Sequence, residues 1–420
     1  LAGTLAGVAS GVTLARSLGP DRRGELAAVL LWPNILALIA DMGLGFAFSY
    51  GAATWRDRLD DLWTIALLSG LFLGSAAVLA GWLLAPRLAA NLSASGHEGM
   101  RIAMLPIPLM LATGYEAYLL LGTHRIAEFN AVRFVAPAFN LVSVLTVAAF
   151  GWIGVRSYAV AFLATQVASF GFCTLLLAMR LRPRFHLSVD LIPKLLSYGI
   201  KAQLSGLAAQ TNLRLDQAVM SLFLIPEKLG QYVIAVSISG ILGPFMNALA
   251  TVILPRTAYA SSNLIGAVAI AKHIRNAVLF SSPLLIVWSV LMPWIIPAFF
   301  GKGYAPAVIP AQVLVLAGLF QGLNIILGNG LRGLGRPGFP AVAEAAGMAV
   351  TVALLYALLP VLGILGAAVT SVFAYLTVTI VQFSLVARTA EMKAADLASS
   401  QLTHEALADS GRLLRAIVSH

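Results

Sequence analysis

The chain has 420 residues, 60% of them hydrophobic and only 10% charged, with a mean hydropathy of +0.90. A soluble globule carries roughly 25% charged residues, so this composition leaves no polar face for water and points to the membrane class. The net charge of +10 comes from 27 Lys and Arg scattered through short loops, without the continuous basic patch that a nucleic-acid partner requires.

A transmembrane helix needs about 20 apolar residues. On that measure twelve helices are expected, at 1–16, 26–53, 63–85, 102–121, 134–152, 157–179, 195–224, 230–254, 276–299, 308–331, 341–360 and 364–387. The chain opens on Leu1 and its first apolar run reaches only Leu14, which reads as a helix missing its start. A signal peptide would carry a basic stretch ahead of that run, and none is present. Gly3, Gly7 and Gly11 stand at four-residue spacing in this helix, a row that lets another backbone approach closely. From Arg388 to His420 the chain turns polar and leaves the membrane, with Leu402 to Val418 expected as a short surface helix.

The loops set the orientation. With the amino terminus inside, the cytoplasmic loops and the tail hold 17 of the 27 Lys and Arg, against 8 in the outer loops. The strongest anchor is Arg180-Leu181-Arg182-Pro183-Arg184 after helix six. This bias places both termini in the cytoplasm of a multi-pass protein of the plasma (inner) membrane.

An internal repeat runs through the chain. Gly19-Pro20-Asp21-Arg22-Arg23-Gly24 recurs as Ile225-Pro226-Glu227-Lys228-Leu229-Gly230, each copy joining the first two helices of a half. Leu121-Gly122 aligns with Leu334-Gly335, and Ile153-Gly154-Val155 with Leu365-Gly366-Ala367. Six helices per half is an even number, so the halves run parallel. The expected fold is therefore all-α, with a six-helix lobe over 1–187, a second over 188–387, a cytoplasmic tail over 388–420, and a cavity between the lobes.

A charge at the centre of a membrane helix costs roughly 2.5–3.5 kcal/mol on insertion scales, which makes buried polar residues the most informative ones. Asp41 falls near the middle of helix two, with Asn34 on the same face. Glu116 lies toward the cytoplasmic end of helix four between Tyr115 and Tyr118, and its repeat counterpart is Asn329. Glu344 opens helix eleven, within reach of the interface. Helix seven is the most polar span. Gln203, Gln210 and Arg214 share one face, and Lys201, Asn212 and Asp216 lie nearly opposite. Arg214 and Asp216 are two residues apart and cannot pair on a helix. Two readings fit these residues: salt bridges that hold the lobes together, or a polar cavity wall that meets cargo or a coupling ion.

Enzyme signatures are missing. The six His residues lie in loops or the tail at no metal-binding spacing, and Cys173 is the sole cysteine, so no metal site or disulfide is expected. There is no phosphate-binding G-x-x-x-x-G-K-[ST] loop. The G-x-G-x-x-G at Gly333–Gly338 follows a membrane helix and contains Pro337, which makes it a turn rather than a dinucleotide site. No outer loop is long enough for a catalytic domain, so the chain is expected to be neither an enzyme nor dependent on a cofactor.

Leu14-Ala15-Arg16-Ser17-Leu18-Gly19-Pro20, Gly24 and Ala40-Asp41-Met42-Gly43-Leu44 resemble the opening of polysaccharide-export flippases of the multidrug/oligosaccharidyl-lipid/polysaccharide superfamily. Tyr198-Gly199, Asn212-Leu213-Arg214-Leu215-Asp216, Leu229-Gly230-Gln231-Tyr232 and Leu254-Pro255-Arg256 follow the same pattern in order, over residues 1–387. The resemblance implies a MATE-like arrangement of two six-helix lobes, alternating access, and a polyprenyl-phosphate-linked saccharide as cargo. It implies membrane lipid, a polysaccharide polymerase and glycosyltransferases as partners, and adds Arg16 to Asp41, Arg214 and Asp216 as motif positions. Lys201 departs from the family pattern, which has an apolar residue or Pro there. The candidate cavity residues are thus Arg16, Asn34, Asp41, Glu116, Gln203, Gln210, Arg214 and Asp216. Two other functions remain open: a cation-coupled multidrug exporter, and a non-transporting membrane scaffold for glycan-synthesis enzymes.

Overall fold

The computed structural model describes residues 2–240 and 243–398, with side chains throughout except at 2, 204–213, 255 and 398. The expected surface helix at 402–418 lies outside the described residues. Lipid offers the backbone no hydrogen-bond partner, so apolar runs of this length close their bonds internally as helices. The described residues are accordingly helical and contain no strand. In chain order the helices are α1 (Ala2–Ala40), α2 (Leu44–Thr54), α3 (Leu59–Leu88), α4 (Ala94–Met104), α5 (Ile107–Gly122), α6 (Ile126–Ala149), α7 (Val155–Leu181), α8 (Leu191–Phe223), α9 (Pro226–Ser239), α10 (Gly243–Ala258), α11 (Asn263–Phe300), α12 (Val308–Gly333), α13 (Phe339–Leu362), α14 (Ile364–Thr389) and α15 (Ala394–Ala398).

Among the described residues nine helices are long and apolar enough to cross a membrane, or ten if the bent pair α9–α10 forms one span. The departures from the expected spans have local causes. The first two spans meet inside α1, where Gly19 leaves helical geometry (φ 72°, ψ 174°) ahead of Pro20. The second span is itself interrupted at residues 41–43, so Asp41 lies in a turn rather than mid-helix. The fourth divides into α4 and α5 at Leu105–Pro106, where proline offers no backbone donor. The ninth starts earlier than expected, because Lys272, His273 and Arg275 extend α11 without a helix breaker. The Gly3, Gly7, Gly11 row seats no backbone: atoms lie within 4 Å of an added Cβ only at Gly3, and they belong to the Pro137 side chain.

The chain divides into two compact units. One comprises Leu1–Leu204, Gln217–Val233 and Pro297–Ala305; the other comprises Ser205–Asp216, Ile234–Ile296 and Pro306–His420. In the first, α3 packs on α5, α6 on α1 and α7, and α4 on α7, around Leu26, Phe48, Leu62, Met100, Met104 and Leu119. In the second, α14 packs on α12 and α13, and α12 on α10, around Ile253, Ile270, Ile326, Leu331 and Val386. Lipid is as apolar as these side chains, so cohesion rests on close packing and hydrogen bonds rather than on exclusion of water.

Candidate functional site

The break between α1 and α2 is the first polar site. Met42 (φ 49°) and Gly43 (φ 70°) take left-handed backbone conformations and end the first helix. The Asp41 carboxylate accepts from the Gly43 amide at 3.1 Å and so caps the start of α2. The interruption frees carbonyls, and side chains claim them. Tyr115 donates to the Asp41 carbonyl at 3.2 Å and Gln203 to the Leu38 carbonyl at 3.1 Å. A Cβ on Gly43 would stand 2.2 Å from the Gly199 carbonyl oxygen, so the turn lies directly on α8. Asp41 and Gln203, chosen from different parts of the sequence, therefore belong to one node. Asn34, one helical stretch earlier, donates to its own helix at Leu30.

Glu116 is the second site. It is fully buried, and its two oxygens take hydrogen bonds from the Trp63 indole at 3.0 Å and the Thr174 hydroxyl at 2.7 Å. Thus α3, α5 and α7 are joined at one carboxyl by neutral donors. Among the described residues it forms no ion pair.

Arg16 is the third site. Its guanidinium donates to the carbonyls of Ala298 (2.5 Å) and Phe299 (2.8 Å) in the last turn of α11. A cation there satisfies orphan carbonyls and complements the negative helix end. Tyr304 ties the same two segments by donating to the Ala15 carbonyl at 3.3 Å. Beside this junction the repeated loops cross. A Cβ on Gly24 would lie 1.7 Å from the Pro226 carbonyl oxygen, and one on Gly230 would lie 2.0 Å from that of Pro20. The contact is reciprocal, as two copies of one motif meeting face to face require.

Helix α8 carries the remaining candidates. The side chain of Gln210 lies outside the described residues. Arg214 is exposed and makes no ion pair among the described residues, whereas Asp216 is buried. Asp216 and Glu344 both lie within electrostatic reach of the Tyr375 hydroxyl on α14. Nearby, Asn324 donates to the Tyr375 carbonyl at 3.1 Å and accepts from Thr379 at 2.7 Å. Glu344 is half-buried near the start of α13.

One network escaped the sequence reading. Arg58 bonds Asp61, Ser188 and Asp190, and His186 bonds Asp61 in turn. The Arg184 amide donates to Asp60 at 2.9 Å. Together these fasten the segment after α7 to the start of α3. The Arg58 guanidinium and then the Ser188 hydroxyl hold the Asp190 carboxyl well below the usual carboxylate range. The signal in the sequence was Asp57, Asp60 and Asp61 on the same side of the membrane as the Arg180–Arg184 run.

The polysaccharide biosynthesis protein family model matches residues 13–309. Among solved structures, an inward-facing multidrug resistance MATE family transporter of the MOP superfamily aligns with a TM-score of 0.77 at 16% identity, over 95% of this chain and 96% of that one. The lipid II flippase MurJ in its inward closed conformation aligns with a TM-score of 0.72 at 14% identity, over 96% and 90%. A MATE protein in complex with MaD3S aligns at 0.63 and 16%, over 93% and 92%. At these identities the likeness shows the fold. No curated protein matches the chain.

Proposed function

The chain belongs to the polysaccharide biosynthesis protein family, and from that premise we propose that it flips a polyprenyl-phosphate-linked oligosaccharide across the plasma membrane by alternating access. The family match over residues 13–309 carries this reading; the shared fold with a lipid II flippase supports it. A charged, sugar-bearing head cannot cross hydrocarbon unaided. A polar cavity replaces water around the head while the prenyl tail stays in lipid. Arg214, exposed and free of any ion pair among the described residues, is the guanidinium we assign to the cargo phosphate. Asp41 and Gln203 of the first unit, and Gln210 and Asp216 of the second, are further polar candidates for contact with the cargo head. Both termini face the cytoplasm on the charge bias, and the sequence holds no ATP-binding loop, so an ion gradient or removal of product outside drives the cycle.

A second reading is a cation-coupled drug exporter, for which the fold shared with MATE transporters speaks. A deletion strain separates the two. Lipid-linked repeat units accumulating on the inner leaflet, with surface glycan lost, support the flippase. Intact surface glycan with new sensitivity to cationic dyes supports the exporter. Intact glycan and unchanged sensitivity would reject both.

A further inference from the structure

Apart from these polar sites, α6 and α7 enclose a groove of about 540 Å³ within the first unit, a volume typical of a small-ligand site. Phe139, Val142 and Thr146 of α6 form one wall, and Val160, Ala164 and Ala168 of α7 form the other. Val142, Val160 and Ala164 are exposed, so the groove opens along one side. Four hydroxyls line it: Thr146, which donates to the Val142 carbonyl at 2.8 Å, Ser157, and the pair Ser143 and Thr165. The last two stand 2.8 Å apart, and each is also 2.9 Å from a carbonyl one turn earlier in its own helix. Three of the four hydroxyls are thus bonded within their own helices, and most of the remaining lining is aliphatic or aromatic, which suits a hydrocarbon guest.

The mouth has the opposite character. Arg156 stands there beside Trp152, which is 60% exposed and stacked on Phe150 in the turn between the helices. An exposed indole at a helix end marks the membrane–water interface. Among the described residues Arg156 makes one ion pair, at 3.4 Å, with the exposed Glu98. A guanidinium has five N–H donors, and an exposed pair of this kind is weak, so most of its capacity is open to a phosphate. From Arg156 to Ala168 the lining covers twelve residues of helix, roughly 18 Å at 1.5 Å per residue. One leaflet of hydrocarbon is about 15 Å deep. The groove therefore runs from headgroup level to about the bilayer midplane.

We propose that this groove is a site for one anionic glycerophospholipid from the leaflet beside the 150–154 turn: an acyl chain lies between α6 and α7, and the phosphate sits on Arg156. The single-leaflet depth matches an acyl chain that ends at the midplane, and the cation at the mouth matches a net negative headgroup. The inference rests on the groove alone and stands whether or not the cargo is a saccharide.

The test is native mass spectrometry of the full chain, purified and exposed to equal amounts of phosphatidylglycerol and phosphatidylethanolamine in mixed micelles. The wild type retains one phosphatidylglycerol in preference to phosphatidylethanolamine. Arg156→Gln keeps a lipid but loses about fivefold of that preference. Ala164→Phe, which fills the groove from α7, removes the retained lipid with thermal unfolding unchanged. Val142→Trp does so from the other wall, at an exposed position where folding is not at stake, and serves should Ala164→Phe fail to fold. Equal retention of both lipids by the wild type, or retention unaltered in Val142→Trp, would overturn the proposal. So would displacement of phosphatidylglycerol by added polyprenyl phosphate, which would assign the groove to the cargo's tail.

Discussion

Arg16 offers a sharp division between holding the fold and holding cargo. Replacing it with Ala removes two charge-assisted hydrogen bonds, at 2.5 and 2.8 Å, from the last turn of α11. Hydrogen bonds to charged groups contribute about 1.5–3 kcal/mol each, and a cation at a helix end adds about 0.3–1 kcal/mol. Arg16 is exposed, so water satisfies much of what it leaves behind, and the loss falls at the lower end of these figures, about 3 kcal/mol in total. Arg16→Lys retains the charge but spans only one carbonyl well, and about half the loss is expected. Tyr304 bridges the same segments through the Ala15 carbonyl, so Arg16→Ala and Tyr304→Phe should couple rather than add. Thermal unfolding of the purified protein in detergent, read with a transport assay, measures both effects. Unfolding unchanged in Arg16→Ala, with transport abolished, would show that Arg16 contacts cargo and refute the pinning role.

Three more outcomes follow from other contacts. In Gly24→Ala the new Cβ meets the Pro226 carbonyl oxygen at 1.7 Å, so the crossed loops must separate; a cross-link between engineered cysteines at 22 and 228 should form less readily, and unchanged yield would contradict the contact. Glu116→Leu strands the Trp63 and Thr174 donors at a cost of about 1–3 kcal/mol for each that stays unpaired; it should lower the unfolding temperature more than Glu116→Gln, and equal stability of the two would count against a shared acceptor. Asp190, held below the usual carboxylate range by Arg58 and Ser188, contributes stability that is present above its unfolded pKa of about 3.9 and lost as pH falls through the still lower folded value. Limited proteolysis of the 183–190 segment should therefore be unchanged from pH 7 to pH 5, whereas release within that window would contradict the ion pair.

The all-helical fold was legible because lipid permits few solutions: long uncharged runs close their backbone bonds as helices. The interruptions were less visible. Asp41-Met42-Gly43 reads as part of an apolar run, and its unwinding depends on Gly43 lying against Gly199 and on Gln203 and Tyr115 collecting the freed carbonyls. Those partners are far away in the sequence, so periodicity carries no trace of them. Glu116 was legible as a buried acid, but its neutral partners on α3 and α7 were not. Arg16 stands out only as a motif position of the resemblance, and nothing in the sequence shows that its donors end on α11.

Translocation by the purified protein is the most direct test of the proposed function. Proteoliposomes carrying a polyprenyl-diphosphate-linked oligosaccharide in both leaflets are treated with an impermeant glycosidase, with and without an imposed ion gradient. Liposomes containing the wild-type protein should expose nearly all of the lipid-linked sugar over time, whereas protein-free liposomes stall at about half, the share of two equal leaflets. Arg214→Ala should slow the second half of the digestion while remaining folded. Digestion that stalls at the protein-free level, with wild-type protein folded and the gradient intact, would contradict the assignment as a flippase for lipid-linked saccharide.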